Sequence, residues 1–209
     1  MNTYRNVLIA VIALCGATTS SGEAVDAASQ TAAQHVAVTT CATCHGPQGR
    51  SFTPKFPTLA GQHASYLAAQ LKAFKAQTRG DPDALAYMWG MAAPLDDAMI
   101  EALAAYYSAQ EPGRGPRGDA ALITQGSEIY ASGVAAEGIP PCVACHGPEA
   151  LGTDEFPRLA GQHAQYILKQ LHSFQSSLRN VAVMHGIAEG MKGAEMNAVA
   201  TYLQSLSAH

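Results

Sequence analysis

The chain has 209 residues, and its 12 Lys and Arg against 16 Asp and Glu give a formal net charge of −4 at pH 7. No basic stripe is present, which argues against a nucleic-acid-binding surface. Of its five cysteines, four lie in two short motifs of identical pattern.

The N-terminus is predicted to be a secretory signal peptide covering residues 1–27. Arg5 precedes an apolar run at 7–15, and small polar residues follow it. The run is shorter than the roughly 20 apolar residues that span a bilayer. Cleavage is expected after Ala24 or Ala27, and the cysteine that ends the run is interpreted as part of the leader. The mature protein is therefore expected to be soluble and located in the periplasm.

Two C-x-x-C-H motifs follow, CATCH at residues 41–45 and CVACH at residues 142–146. This pattern is typical of covalent c-type haem attachment. Two thiols one helical turn apart can form thioethers to one haem, and the adjacent histidine then supplies a nitrogen ligand to the iron. The sequence therefore predicts two haems, held by Cys41, Cys44, Cys142 and Cys145, with His45 and His146 as iron ligands.

Three other interpretations of these cysteines are weaker. A zinc site needs four ligands, and the two C-x-x-C pairs are separated by far more than the usual roughly 15–20 residues. A thioredoxin-like redox pair does not explain a histidine directly after both motifs. Two disulfides would each have to close a strained bridge across only two residues.

The surroundings of the two motifs are repeated as well. The segment Phe56–Phe74 matches Phe156–Phe174 at an offset of 100 residues. Its apolar spacing predicts a helix over Gln62–Gln77. The segment Met88–Tyr107 matches Met184–Leu203 at an offset of 96, so the first copy has four extra residues before its methionine.

The end of each copy predicts another helix. Asp96–Gln110 begins with two acidic residues, which favour a helix N-terminus. The equivalent segment, Ala194–Leu206, lacks this pair, so its start is less sharply predicted. Between the copies, a Gly-, Pro- and Arg-rich stretch is typical of an exposed linker. We therefore predict one domain at 28–110, a linker at 111–119 and a second domain at 120–209.

The repeat also identifies candidates for the sixth iron ligand. Met88 and Met184 align as M-x-G, and a second strong ligand would close each iron to oxygen and peroxide. Met91 remains an alternative in the first module, and His185 or Met191 in the second.

Further side chains around these ligands have candidate roles. Pro57 and Pro157, in the repeated FP-x-LAGQH string, are expected to offer the backbone carbonyl that orients each ligand histidine, although they could simply shape a loop. His63 and His163 follow the repeated AGQ and could contact the haem edge or a haem propionate, or lie in the first turn of a helix, either exposed or hydrogen-bonded. Tyr66, Tyr166 and Trp89 could line the haems, the module interface or the core.

The order C-x-x-C-H, FP-x-LAGQ, Q-L-x-x-F, M-x-G and a final amphipathic helix resembles class I cytochromes c. The duplication and the repeated LAGQHA-x-Y string resemble the dihaem cytochrome c-four family over residues 35–207. The resemblance implies an all-α fold of two tandem cytochrome c domains related by a pseudo-twofold axis, each wrapped around one covalently attached haem. It also implies His/Met ligation by His45 with Met88 and by His146 with Met184.

The expected function is electron transfer without substrate chemistry. The donor would be a quinol-oxidising complex or a dehydrogenase, and the acceptor a terminal oxidase or reductase. The alternative is an electron-transfer subunit of a periplasmic dehydrogenase, for example a sulfide-oxidising flavoprotein. We expect a monomer, either free or peripherally associated with a membrane. Residues 28–110 carry five charges of each sign, whereas residues 111–209 carry six basic and nine acidic residues, so the two modules are expected to meet different partners.

Overall fold

The computed structural model describes residues 26–206, which are helical and contain no strand beyond two isolated β-bridges. The first module contains α1 (Ala27–Val36), α2 (Ala42–His45), α3 (Ala64–Lys75), α4 (Trp89–Ala92) and α5 (Asp97–Ser108). The second contains α6 (Ala120–Ser132), α7 (Val143–His146), α8 (Ala164–Gln175), α9 (Ala182–Gly190) and α10 (Gly193–Ser205). The predicted all-α class is confirmed.

Short turns of other helix types connect several of these elements. Two of them are π-helical, Ala37–Cys41 and Ala84–Met88, and two are 3-10 turns, Pro47–Gly49 and Ala135–Glu137. The second π-helical turn falls where the first module has its four extra residues. The matching methionine of the second module lies on the regular helix α9 instead.

The first and last helices of each module pack against each other, α1 on α5 and α6 on α10. Their apolar faces form the core together with the middle helix, α3 or α8. The side chains buried in these two cores include Leu67, Ile100, Leu103 and Tyr107 in the first module, and Ile129, Leu171, Met196, Val199 and Leu203 in the second. The final helix predicted at the end of each copy is therefore present and buries an apolar face.

The two final helices begin with different caps. Asp96 accepts a hydrogen bond of 2.8 Å from the backbone N–H of Met99 and so caps α5. At α10, the side chain of Glu195 accepts the backbone N–H of Lys192 at 2.8 Å. The second helix thus begins without the acidic pair, because an acidic residue in its first turn reaches back to the cap position.

The sequence around the modules is only partly described. Of the predicted signal peptide, only Asp26 and Ala27 belong to the described residues, where the Asp26 carboxylate accepts the Ser29 N–H and caps α1. Residues 111–119 have no regular secondary structure. Within the described range, no helix is both long enough and apolar enough to cross a membrane.

The crossing of α6 and α10 depends on a glycine. A Cβ atom added at Gly126 would lie 2.1 Å from the carbonyl oxygen of Ala198 and 2.7 Å from the Tyr202 Cβ. Because the nearest obstacle is backbone, the two helices can approach this closely only where no side chain intervenes.

We predict that Gly126→Ala lowers the free energy of unfolding by about 2 kcal/mol or more, since overpacking a closed core typically costs about 1–3 kcal/mol. Chemical denaturation followed by circular dichroism measures this change. The matched control is Gly193→Ala, where an added Cβ meets nothing within 4 Å. Equal stability of the two variants would contradict the packing explanation.

Candidate haem-binding site

One continuous cavity of about 1120 Å³ runs through both modules. Its walls contain all four motif cysteines, both motif histidines and both repeated methionines. Most of the other lining residues are apolar, including Leu67, Leu71, Phe74, Leu103, Ile167, Leu171, Phe174, Val199 and Leu203. The cavity is thus an apolar space in which each module presents the same set of candidate iron ligands.

Each motif histidine is buried and held in one orientation. His45 and His146 are 7% and 8% exposed, and each is the last residue of a four-residue helix, α2 or α7. The Nδ1 atom of His45 lies 2.9 Å from the carbonyl oxygen of Pro57, and that of His146 lies 3.1 Å from Pro157 O. A carbonyl oxygen can only accept, so each Nδ1 carries the proton and each Nε2 is left free to bind a metal.

Burial keeps these rings neutral. It lowers the pKa of both His45 and His146, and the hydrogen bonds to the proline carbonyls offset only part of that effect. Neutral imidazole is the form that binds metals. Aromatic rings flank both histidines, with Phe56 centred 6.1 Å from His45 and Phe156 centred 6.2 Å from His146.

The short helices turn away from the cavity directly after each histidine. Gly46 and Gly147 have φ angles of 74° and 75°, a region that favours glycine. A Cβ atom at Gly46 would lie 2.0 Å from the carbonyl oxygen of Arg50. The glycine that follows each C-x-x-C-H motif therefore lets the chain leave the short helix and reach the proline segment.

The candidate sixth ligands are placed differently in the two modules. Met88 ends the π-helical turn, and Met184 lies in the first turns of α9; both are half-buried and line the cavity. Met91 also lines the cavity but is 54% exposed. In the second module, Met191 is 4% exposed and lines the cavity as well, so it stays an alternative to Met184.

His185, the other alternative, has a different partner. Its Nδ1 atom lies 2.8 Å from the carbonyl oxygen of Phe174. Its counterpart in the first module, Trp89, donates its indole N–H to the carbonyl oxygen of Arg79 at 2.8 Å. Both residues therefore tie the methionine segment to the rest of the module.

The two modules contact each other through exchanged glutamine side chains. Gln62 donates to Arg158 O at 3.0 Å and accepts the Arg158 N–H at 2.9 Å. Gln162 makes the same pair with Thr58, at 2.9 and 3.0 Å. The amide of each glutamine thus pairs with both the backbone N–H and the backbone C=O of one residue in the other module. The two sets of hydrogen bonds are equivalent, as a pseudo-twofold axis requires.

His63 and His163 also cross between the modules. The Nε2 atom of His63 lies 2.8 Å from Leu151 O, and that of His163 lies 3.0 Å from Ser51 O. Both histidines therefore join the two modules through hydrogen bonds to backbone carbonyls.

Two buried arginines, which the sequence did not single out, occupy the centre of the interface. Arg79, 6% exposed, donates to Gln70 of its own module and to Gln170 of the other, both at 2.8 Å. It also donates to the Tyr166 hydroxyl at 3.2 Å and to the carboxylate of Asp81 at 2.7 Å. Burial lowers the pKa of Arg79, but the acidic partners outweigh it, and the net pKa is raised.

Arg179 makes the equivalent glutamine and tyrosine contacts from the second module. It donates to Gln170 at 2.8 Å, to Gln70 at 2.9 Å and to the Tyr66 hydroxyl at 2.7 Å. Burial alone would raise the pKa of Tyr66, but the charges of Arg179 and Arg79 lower it. A scan of the repeat for polar identities at an offset of 100 would have found the arginines, glutamines and tyrosines of this cluster.

The four extra residues of the first module break the symmetry of the interface. The segment between Arg79 and Met88, which includes these extra residues, contains Asp81, the carboxylate of the buried cluster, and Asp83, which forms an ion pair with Lys169 of the second module. Lys169 also donates to the carbonyl oxygen of Lys55 at 2.9 Å. The first module therefore supplies the carboxylates of both ion pairs, Asp81 with Arg79 and Asp83 with Lys169.

The comparisons with known proteins agree with this geometry. A family model for cytochrome c matches residues 30–109 and 123–207. A cytochrome c4 of Stutzerimonas stutzeri is 37% identical over 97% of this chain and 99% of its own. This chain belongs to the cytochrome c4 family.

Two further matches extend the comparison. The solved cytochrome c4 structure of Acidithiobacillus ferrooxidans superposes with a TM-score of 0.76 at 44% identity, covering 79% of this chain and 98% of that one. A thiosulfate dehydrogenase electron acceptor of Thiomonas intermedia is 38% identical over 78% of this chain and 76% of its own. The predicted fold of two tandem cytochrome c domains is confirmed.

The residues fit two covalently bound c-type haems, one in each module. The thiols lie part-buried at the cavity wall, each histidine has a free Nε2, and the surrounding surface is apolar. When bound, each haem supplies a one-electron ferric/ferrous couple. The chain's own residues exclude water, orient the histidine and hold the two modules together. The protein is an electron-transfer cytochrome, as the sequence predicts.

We predict that Met88→Ala removes about half of the weak sulfur-to-iron charge-transfer absorption of the ferric protein, because one of two haems loses its sulfur ligand. Met91→Ala is the matched control and should leave the band intact. The same pair of measurements on Met184→Ala and Met191→Ala distinguishes the candidates of the second module. Loss of the band in either control variant would reassign that ligand.

We predict that Asp81→Asn lowers the free energy of unfolding by about 3 kcal/mol, since it leaves the buried Arg79 guanidinium without its counter-charge. Glu101→Gln breaks an exposed ion pair with Lys72 instead and should cost at most about 1 kcal/mol. Denaturant titration of both variants tests this difference. A cost for Asp81→Asn no greater than that of the control would show that the buried pair contributes little.

Proposed function

We propose that the protein carries electrons in the periplasm, from a quinol-oxidising complex or a dehydrogenase to a terminal oxidase or reductase. The observation that carries this proposal is the repetition of one candidate ligand set, histidine and methionine, along a single cavity. An iron with both axial positions filled exchanges electrons but has no open position for a substrate. Two such centres in one rigidly joined pair suit a relay between two partners.

The proposed ligands are His45 with Met88 and His146 with Met184, and the proposed attachment points are the four motif cysteines. The proposed boundaries are those of the sequence: a leader at 1–27 and domains at 28–110 and 120–209. We infer that the mature chain acts as a monomer, since the two modules already cover each other's faces.

The test is the oxygen consumption of membranes that contain a terminal oxidase, with a quinol as donor. Adding the reduced protein should accelerate electron flow in proportion to its concentration, and the two haems should be reoxidised within the turnover time. If the protein were neither reduced by the quinol-oxidising complex nor reoxidised by the oxidase, this proposal would be wrong.

A second candidate function is to accept electrons from a periplasmic dehydrogenase, either as its subunit or as a separate carrier. The similarity to the Thiomonas intermedia thiosulfate dehydrogenase electron acceptor favours a thiosulfate dehydrogenase as the donor over a sulfide-oxidising flavoprotein. Rapid-mixing experiments with each purified dehydrogenase distinguish the donors. Co-purification with one of them would identify a subunit rather than a carrier.

We predict that the acidic second module steers one partner. Asp154 and Glu155 are exposed at the cavity rim, so Asp154→Asn with Glu155→Gln should slow that partner's reaction about threefold at low salt and flatten its ionic-strength dependence. The control is Asp97→Asn, an exposed carboxylate of the first module. An unchanged salt dependence for every partner would refute separate docking by the two modules.

A further inference from the structure

The helical segment that carries Met88 is held at both ends by Arg79. At its start, the carbonyl oxygen of Asp81 accepts the backbone N–H of Leu85 at 3.1 Å, and the Asp81 carboxylate accepts the Nε–H of Arg79 at 2.7 Å. At its end, Trp89 donates its indole N–H to the carbonyl oxygen of Arg79 at 2.8 Å. The methionine directly precedes this tryptophan, so its position depends on Arg79.

Arg79 is in turn held by the second module. Its side chain donates to Gln170 at 2.8 Å and to the Tyr166 hydroxyl at 3.2 Å. The peptide group that joins Arg79 to Gly80 donates its N–H to the carbonyl oxygen of Leu178 at 3.0 Å. The oxygen of this same peptide group accepts the indole N–H. Because a peptide group is planar and stiff, a contact with the second module on one side fixes the acceptor on the other.

The second module ties its methionine segment to itself instead. The Nδ1 atom of His185, the counterpart of the tryptophan, lies 2.8 Å from the carbonyl oxygen of Phe174. Gln175, on the same helix α8, donates to the carbonyl oxygens of Ala188 and Met191 at 3.1 Å each. These three contacts lie within one module, so they remain when the interface changes.

The difference matters because of the chemistry of the ligand. A methionine side chain carries only a weakly accepting sulfur, so hydrogen bonds from neighbours cannot orient it strongly. Its place at an iron is therefore set by its backbone and by packing. Residues that orient a metal ligand from outside affect how firmly the ligand is bound.

We propose that the second module positions Met88 through Arg79, so that the methionine–iron bond of the first haem depends on the module interface and that of the second haem does not. The proposal rests on the proposed ligation by Met88 and Met184. Gln170 and Trp89 are positioning residues in this arrangement, since they act on the ligand through Arg79 or through the backbone. A change that opens the interface then weakens the methionine bond of the first haem alone.

The experiment is rapid mixing of the ferric holoprotein with excess imidazole, which can bind an iron only after its methionine has left. At saturating imidazole, the rate of the absorbance change is the rate of methionine release. The variants Met88→Ala and Met184→Ala assign the two phases, because a haem without its methionine reacts at once. Trp89→Phe keeps an aromatic ring but loses the N–H, so it should speed release at the first haem about fivefold, the effect of one ordinary hydrogen bond.

The decisive variant lies in the other module. Gln170→Leu removes an acceptor of Arg79 and should speed release at the first haem about fivefold as well, leaving the second nearly unchanged. If this variant fails to fold, Tyr166→Phe removes one hydroxyl and should give a smaller acceleration of the same phase. The matched control is His163→Leu, which removes a contact of the second module with the carbonyl oxygen of Ser51 and should alter neither rate.

Three results would overturn the proposal: no acceleration at the first haem, an equal acceleration at both haems, or the same acceleration in His163→Leu, which would indicate a general loosening of the interface. A wrong ligand assignment gives a different result. If Met88→Ala left both slow phases intact, Met88 would not be the ligand, and the proposal would fail with that assignment.

Discussion

The hydrogen bond from each motif histidine to a proline carbonyl is the constraint around which each module is arranged. It leaves Nε2 as the only ring nitrogen free to bind iron, and it fixes the direction in which that nitrogen faces. The short helix, the positive-φ glycine after it and the FP-x-LAGQ segment bring the two groups together. The same segment ends in the glutamine that hydrogen-bonds to the backbone of the other module. One stretch of chain therefore both orients the histidine and joins the two modules.

The interface is symmetric in its backbone contacts and asymmetric in its charges. Gln62, Gln162, His63 and His163 exchange equivalent hydrogen bonds across it. The carboxylates that pair with cations at the interface, Asp81 and Asp83, both come from the first module. Duplication therefore fixes the relative position of two redox centres, and a few later differences give each centre its own electrostatic surroundings.

Much of this could be predicted from the sequence because the two copies constrain each other. The motifs, the helix faces and the candidate methionines follow from residues that recur at nearly constant offsets. The π-helical turn before Met88 could not be predicted, since it follows from how four extra residues are accommodated between fixed ends. The Arg79 and Arg179 cluster was missed for another reason: the glutamine that each arginine contacts in the other module lies 91 or 109 residues away in sequence, and the pattern of one copy alone does not show it.

The account rests most directly on two closed, six-coordinate irons in one chain. An oxidative titration of the purified holoprotein, followed by visible and electron paramagnetic resonance spectra, measures this state. Two haems per chain that are both low-spin and both carry the sulfur-to-iron band in the ferric state would agree with the account. A high-spin ferric signal from either haem would contradict it, because that iron would have a position open to a substrate.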